Sequence, residues 1–148
     1  IKVFASGKLT TAFGIIRLLA LGVDVCYAAR PFLLALGCIQ ALRCNTNECP
    51  TGVATQDPRL VKGLVVADKR TRVKNFHEQT LKGVAEIIGA MGLHSHTELS
   101  PAHIRRRFGD FDVRSYAELI EWVPEGTWLH RPPARWAAQW EKISVASF

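Results

Sequence analysis

The run IKVFASGKLTTAFGIIRLLALGVDVCY, residues 1–27, decides the fold class. Residues 1–5 are apolar and β-prone, and Ser6-Gly7-Lys8 breaks them off. Thr10 or Thr11 then caps a helix whose apolar positions Ile15, Ile16, Leu18, Leu19 and Leu21 lead to a stop at Gly22. Residues 23–27 read as a second short, buried strand. A further helix is expected from Pro31, which is tolerated in a first turn, to Leu42. Strand, helix, strand, helix in this order predicts an α/β fold with a parallel sheet. Parallel strands are covered on both faces and need more neighbours than these two. With no initiator Met and no room for a sheet before residue 1, the expectation is the C-terminal part of a larger α/β protein.

Downstream of the second helix lies a compact thiol run, Cys38-x5-Cys44-x4-Cys49, closed by Pro50. Disulfides pair evenly, and this run leaves one cysteine over. Structural zinc wants a fourth Cys or His at matching distance, and the nearest downstream histidine is His77. Iron–sulfur clusters take thiolates from longer, irregular loops, and Cys-Pro closing a run is a feature of such segments. Spacing alone leaves iron–sulfur, zinc, and inert or redox thiols all open, with iron–sulfur in front. The fourth cysteine, Cys26, falls within the second strand and reads as a small buried core residue.

The totals bound what the chain does. Its 148 residues suit one ordinary domain, and 48% are hydrophobic, enough for a core. No uncharged apolar stretch is long enough for a transmembrane helix, and no charged, then apolar, leader opens the chain. A cytoplasmic location with reduced thiols is expected. The net charge is +6. Aromatic residues are not interleaved with the basic ones as a single-strand nucleic-acid binder requires, so the charge reads as a solvated basic face.

Residues 45–60 form a turn-rich loop with Pro50, Gly52 and Pro58. Its Thr51, Thr55, Gln56 and Asp57 are candidates to direct N–H and hydroxyl groups toward cysteine sulfurs. A long packing helix is expected from Asp68 to about Gly92, with an apolar stripe of Val73, Phe76, Thr80, Val84, Ile87 and Met91 and with His77 beside it. His94 and His96 lie in a linker without acidic or cysteine partners and are not read as a metal site. Ser100-Pro101 starts a helix over residues 102–108, whose end carries Arg105, Arg106 and Arg107, favourable against the helix dipole and a conceivable dock for an acidic electron carrier. Ser115 and Glu118 form a capping box for a helix that ends at Pro124 and Gly126. Trp128, Trp136 and Trp140 read as anchors of a tail onto a larger body, or as a partner surface.

The run ALGCIQALRCNTNECPTGVATQDP, residues 35–58, resembles the cluster segment of the glutamate synthases, and more closely that of the short, glutamate synthase-like FMN-dependent proteins of bacteria. The likeness extends roughly over residues 1–120, through Asp68-Lys69 and Arg72 to His77. It implies that Cys38, Cys44 and Cys49 hold a 3Fe-4S cluster. It implies the last two β/α units of a (β/α)8 TIM barrel, with residues 1–5 as strand seven and 23–27 as strand eight. A cysteine-rich cluster loop and an α-helical C-terminal extension follow. The implied divisions are 1–60 for barrel and cluster loop, 61–94 for the packing helix and 95–148 for the extension. It implies that Ser6, Gly7, Lys8, Ala29 and Arg30 lie at the phosphate of FMN, in keeping with the phosphate sites that form after barrel strands seven and eight. Ala28-Ala29-Arg30 matches the family stretch there. Tyr27 replaces its usual Asn and Pro31 its usual Gly, and Pro31 removes one N–H donor.

The resemblance further implies an oxidoreductase that forms L-glutamate from 2-oxoglutarate and ammonia by way of 2-iminoglutarate, with electrons passing from cluster to FMN. The implied partners are 2-oxoglutarate or a similar small substrate, an electron donor such as ferredoxin or a reductase subunit, and the missing N-terminal part of the same barrel. No residue is assigned to catalysis, and neither nucleic acid nor membrane is an expected partner. By itself the segment is expected to be inactive. Two other readings stand beside this one: a zinc-stapled basic module that binds nucleic acid through Arg105–Arg107, and a structural remnant without activity.

Overall fold

Two short strands, β1 (Phe4–Ser6) and β2 (Val25–Tyr27), pair in parallel, with Phe4 opposite Val25, Ala5 opposite Cys26 and Ser6 opposite Tyr27. The connection between them is helix α1 (Ala12–Ala20), as a parallel pair demands. Thr11 caps it, its hydroxyl accepting the Gly14 N–H at 3.1 Å. Gly22 closes it with φ +90. The computed structural model describes residues 1–143 and 146, and the α/β character expected for the first segment is present. The two strands differ from the expected buried pair in one respect. Phe4, Val25 and Tyr27 are exposed, and the rings of Phe4 and Tyr27 stack at 5.9 Å on one open face.

Helix α2 (Ala29–Leu36) follows β2 directly. The helix expected to run to Leu42 stops six residues sooner, and the reason is Gly37. That glycine adopts φ +105, its N–H bonds to the Leu34 carbonyl, and the Cys38 N–H bonds to Leu33. This is a Schellman stop, which a glycine makes at little cost. Residues 38–42 are thereby freed from the helix, and Gln40 and Leu42 take left-handed backbone angles instead.

After a short helix α3 (Pro58–Val61), helix α4 (Val66–Ala90) runs for 25 residues and packs on both α1 and α2. Val73, Phe76, Thr80, Val84, Ile87 and Met91 are its partly buried stripe, as the periodicity predicts, and His77 beside them is exposed. Phe32 of α2 meets Phe76 edge to face at 5.2 Å. Gly83 lies mid-helix because α1 passes there: a Cβ on it would sit 3.2 Å from the Ala12 Cβ. The opposite face carries Lys74–Glu78 and Lys82–Glu86 pairs at one-turn spacing.

Residues 1–104 form one compact unit and residues 105–148 a second. The expected helix over residues 102–108 is absent. Pro101–His103 make a single 3-10 turn, capped by reciprocal bonds between Ser100 and His103. Ile104 is extended and buried. Arg105–Phe108 is a strand, β3, paired antiparallel with β4 (Asp112–Ser115) across a turn at Gly109. So short a helix has little stability of its own, and the complementary strand beyond Gly109 wins. The arginines therefore face no helix dipole. The extension is mixed rather than helical throughout. The Ser115–Glu118 capping box does form and starts α5 (Tyr116–Leu119). Two further short helices follow, α6 (Thr127–His130) and α7 (Ala134–Trp140). There Trp128 packs against Trp136 and Trp140, with ring centroids 6.5 and 5.2 Å away. Among the described residues no helix is long and apolar enough to cross a membrane.

Ile16 of α1 is fully buried. Ile16→Ala is expected to lower unfolding stability by about 3 kcal/mol, read as a lower denaturation midpoint at unchanged m-value.

Candidate functional site

Because β1 and β2 are parallel, the residues that follow them emerge at the same end of the sheet. Ser6, Gly7 and Lys8 meet Ala29 and Arg30 there, around a cavity of about 300 Å³ that Tyr27 and Pro31 also line. All five residues singled out in the sequence for an anion lie in this one place. Gly7 has φ +119, a conformation open to glycine. Lys8 follows with φ +50. No side chain caps the start of α2, so the N–H groups of Ala29 and Arg30, which no helical carbonyl reaches, remain to be satisfied. Pro31 adds none, as its ring dictates. Neither Lys8 nor Arg30 makes an ion pair among the described residues. Two unneutralised cations and a bare helix N-terminus suit a phosphate.

The Schellman stop delivers Cys38 into a loop, and the loop brings the three cysteines together. Cys38, Cys44 and Cys49 line one small cleft of about 10 Å³ with Arg43, Pro50 and Thr51 among its walls. Cys38 is half-buried, Cys44 exposed and Cys49 buried. The Gln40 N–H donates to Cys38 Sγ at 3.4 Å. Thr51 Oγ lies 3.5 Å from Cys49 Sγ. That hydroxyl, with backbone N–H groups of Ala54, Thr51 and Val53, outweighs burial and draws the Cys49 thiol down to about 7. Cys26 is the contrast. It sits on β2 away from the cleft, and burial pushes its thiol up, as suits a packing residue.

Of the four polar residues proposed to face the sulfurs, Thr51 alone reaches one. Thr55 donates its hydroxyl to Asn47, whose side-chain oxygen also accepts the Gln56 N–H at 2.6 Å. Asp57 caps α3 and holds Arg59 at 2.8 Å, which keeps its carboxyl below the usual range. Sequence reasoning missed Asn47, whose φ of +64 bends the loop while its side chain ties it across. Asn tolerates this conformation better than most residues, which was the available signal. It also missed Gly63: a Cβ there would lie 2.9 Å from the Thr51 carbonyl oxygen, and one on Gly52 would strike the Leu60 carbonyl. Two backbone segments pass at those glycines.

Among the described residues no three His, Cys, Asp or Glu side chains converge as a single metal ion requires. Thiolates around an iron–sulfur cluster instead bind separate irons. The chain's donors fit that group in kind: three cysteines on one cleft, from an irregular loop, with N–H and O–H donors on two of the sulfurs.

Residues 1–94 match the family model described as a conserved region in glutamate synthase. The chain is 42% identical over 120 residues to the glutamate synthase large subunit-like protein YerD of Bacillus subtilis, covering 81% of this chain and 23% of that protein. It is 36% identical over 95 residues to the archaeal glutamate synthase (NADPH) of Methanocaldococcus jannaschii, covering 64% of this chain and 19% of that one. Against the glutamate synthase (NADH) of Saccharomyces cerevisiae the identity is 31% over 133 residues, 88% of this chain and 6% of the relative. The chain thus spans less than a quarter of the length of these relatives. No solved structure matches it.

In the metal-free protein, the Cys49 thiol falls from its ordinary value near 9 to about 7 on folding. The stabilisation is complete above pH 9 and is lost as pH falls through 7. Unfolding stability is therefore expected to rise from pH 7 to pH 9, and Cys49→Ser to flatten that rise in denaturation curves taken across the range.

Proposed function

The chain belongs to the glutamate synthase family, and on that premise we propose that it forms part of the flavin- and cluster-bearing body of a glutamate synthase-like oxidoreductase. In this reading β1 and β2 are strands seven and eight of a (β/α)8 barrel whose other strands lie outside residues 1–148. The apolar side chains exposed on the short parallel pair support it, since parallel sheets are covered on both faces.

The observation that carries the proposal is the convergence of Cys38, Cys44 and Cys49 on one cleft from a loop released by Gly37. They would hold a 3Fe-4S cluster. Ser6, Gly7, Lys8, Ala29 and Arg30 would hold the phosphate of FMN, Lys8 and Arg30 supplying charge and α2 its first N–H groups. When bound, the flavin would supply hydride transfer and the cluster single-electron transfer. This chain's own part is to fix their positions. Gly7 lets backbone approach the anion closely, Gly37 aims Cys38 out of the helix, and Asn47 closes the loop. The substrate in this reading is 2-oxoglutarate or a similar small acid, which condenses with ammonia, loses water to give the imine, and is reduced to L-glutamate or its counterpart. The electrons come from ferredoxin or a reductase subunit, and the setting is the cytoplasm.

Anaerobic iron and acid-labile sulfide analysis with EPR tests the proposal. The protein is expected to contain both, and Cys44→Ser to lose them. Zinc without sulfide would overturn it. Arg30→Ala is expected to weaken FMN retention about tenfold, roughly one charge-assisted hydrogen bond, measured by flavin release on dilution.

A further inference from the structure

The three sulfurs of the cleft stand in different surroundings. Cys44 is exposed, Cys38 receives one backbone N–H, and Cys49 is buried beside the Thr51 hydroxyl. A metal-bound cysteine is a thiolate with no proton to give. Between the two side chains, the hydroxyl is then the donor, beside the backbone N–H groups of Ala54, Thr51 and Val53 that the same sulfur receives. Thr51 is also held in place. The backbones cross closely at Gly52 and Gly63, where a Cβ on either would meet the facing carbonyl, and the Gly52 N–H bonds to the Cys49 carbonyl at 3.2 Å, closing a turn over residues 49–52. The loop's other two hydroxyls are committed elsewhere, Thr46 to the Arg43 carbonyl and Thr55 to Asn47.

We propose that Thr51 sets the reduction potential of a cluster held by Cys38, Cys44 and Cys49, its hydroxyl donating to the Cys49 thiolate and raising that potential. The proposal rests on the cluster reading given above. Reduction by a chemical reductant such as dithionite adds one electron to the iron–sulfide core. No bond breaks, and the hydroxyl proton stays on Thr51. Part of the added negative charge falls on the cysteine sulfurs, so the hydrogen bond strengthens on reduction. Removing the donor then disfavours the reduced form.

An EPR-monitored redox titration of the holoprotein tests this. Thr51→Val, which keeps the shape and removes the hydroxyl, is expected to move the midpoint to more negative potential. Thr51→Ser, which keeps a hydroxyl, is expected to restore it, and Thr55→Val, which cuts the Asn47 tie alone, to leave it in place. Where the valine variant does not assemble, Thr51→Ala serves in its stead with the same expected shift. An unchanged midpoint in a cluster-loaded variant lacking the hydroxyl overturns the assignment to Thr51. A shift of equal size in Thr55→Val overturns it too, by showing that general loosening of the loop suffices. Absence of any cluster signal in the unsubstituted holoprotein overturns the cluster reading itself.

Discussion

Two strands running in the same direction cannot be joined by a tight turn. The first unit depends on that constraint. It obliges α1 to carry the chain back between β1 and β2, and it sends the residues after both strands out at one end. Ser6 to Lys8 and Ala29 to Arg30, far apart in sequence, therefore share one cavity. The same geometry sets α2 with its N-terminus toward that cavity and its C-terminus toward the cysteine loop. One helix thus has a candidate anion at its positive end and the thiol run at the other.

Helix α4 secures this arrangement by packing on α1 and α2 together. It stabilises through its stripe rather than through its surface ion pairs, which in water contribute little. Its first turns also reach the end of α2. Lys69 Nζ lies 3.4 Å, and an Arg72 guanidinium nitrogen 3.8 Å, from where a Cβ on Gly37 would be. Cations thus stand beside Gly37 at the C-terminal end of α2, the end that the helix dipole makes favourable for them, just before the chain turns into Cys38.

Much of the first unit was legible in the sequence because its signals are local. Thr11, Gly22 and the spacing of the α4 stripe each carry their own conformational preference, and the structure follows them. The cavity residues were legible by resemblance, and the parallel register explains why they meet. What went unread depends on partners remote in sequence or on a choice between two local preferences. Leu36 to Leu42 has helix-forming residues, yet Gly37 prevails because its left-handed stop satisfies two carbonyls at once. Arg105 to Phe108 has no reason to be extended until Asp112 to Ser115 lies alongside. The same register puts Arg106 directly across from Arg114, a repulsion that neighbouring contacts relieve: Arg114 pairs with Asp112, and Arg106 rests over the Phe108 ring at 5.1 Å. Thr51, Thr55, Gln56 and Asp57 looked alike as donors. Only the positions of Asn47 and Arg59 sort them into one that faces sulfur and three that hold the loop.

Asn47 has a consequence for how the cysteine loop meets whatever it binds. A long loop loses conformational entropy when its ends and middle are brought together. Here the ends are already fixed by α2 and α3, and Asn47 pins the middle through Thr55 and Gln56. Part of the ordering of this stretch is therefore supplied by the polypeptide itself. Any ligand of this loop would meet a stretch already tied across its middle, and less of its binding free energy would be drawn down by chain ordering.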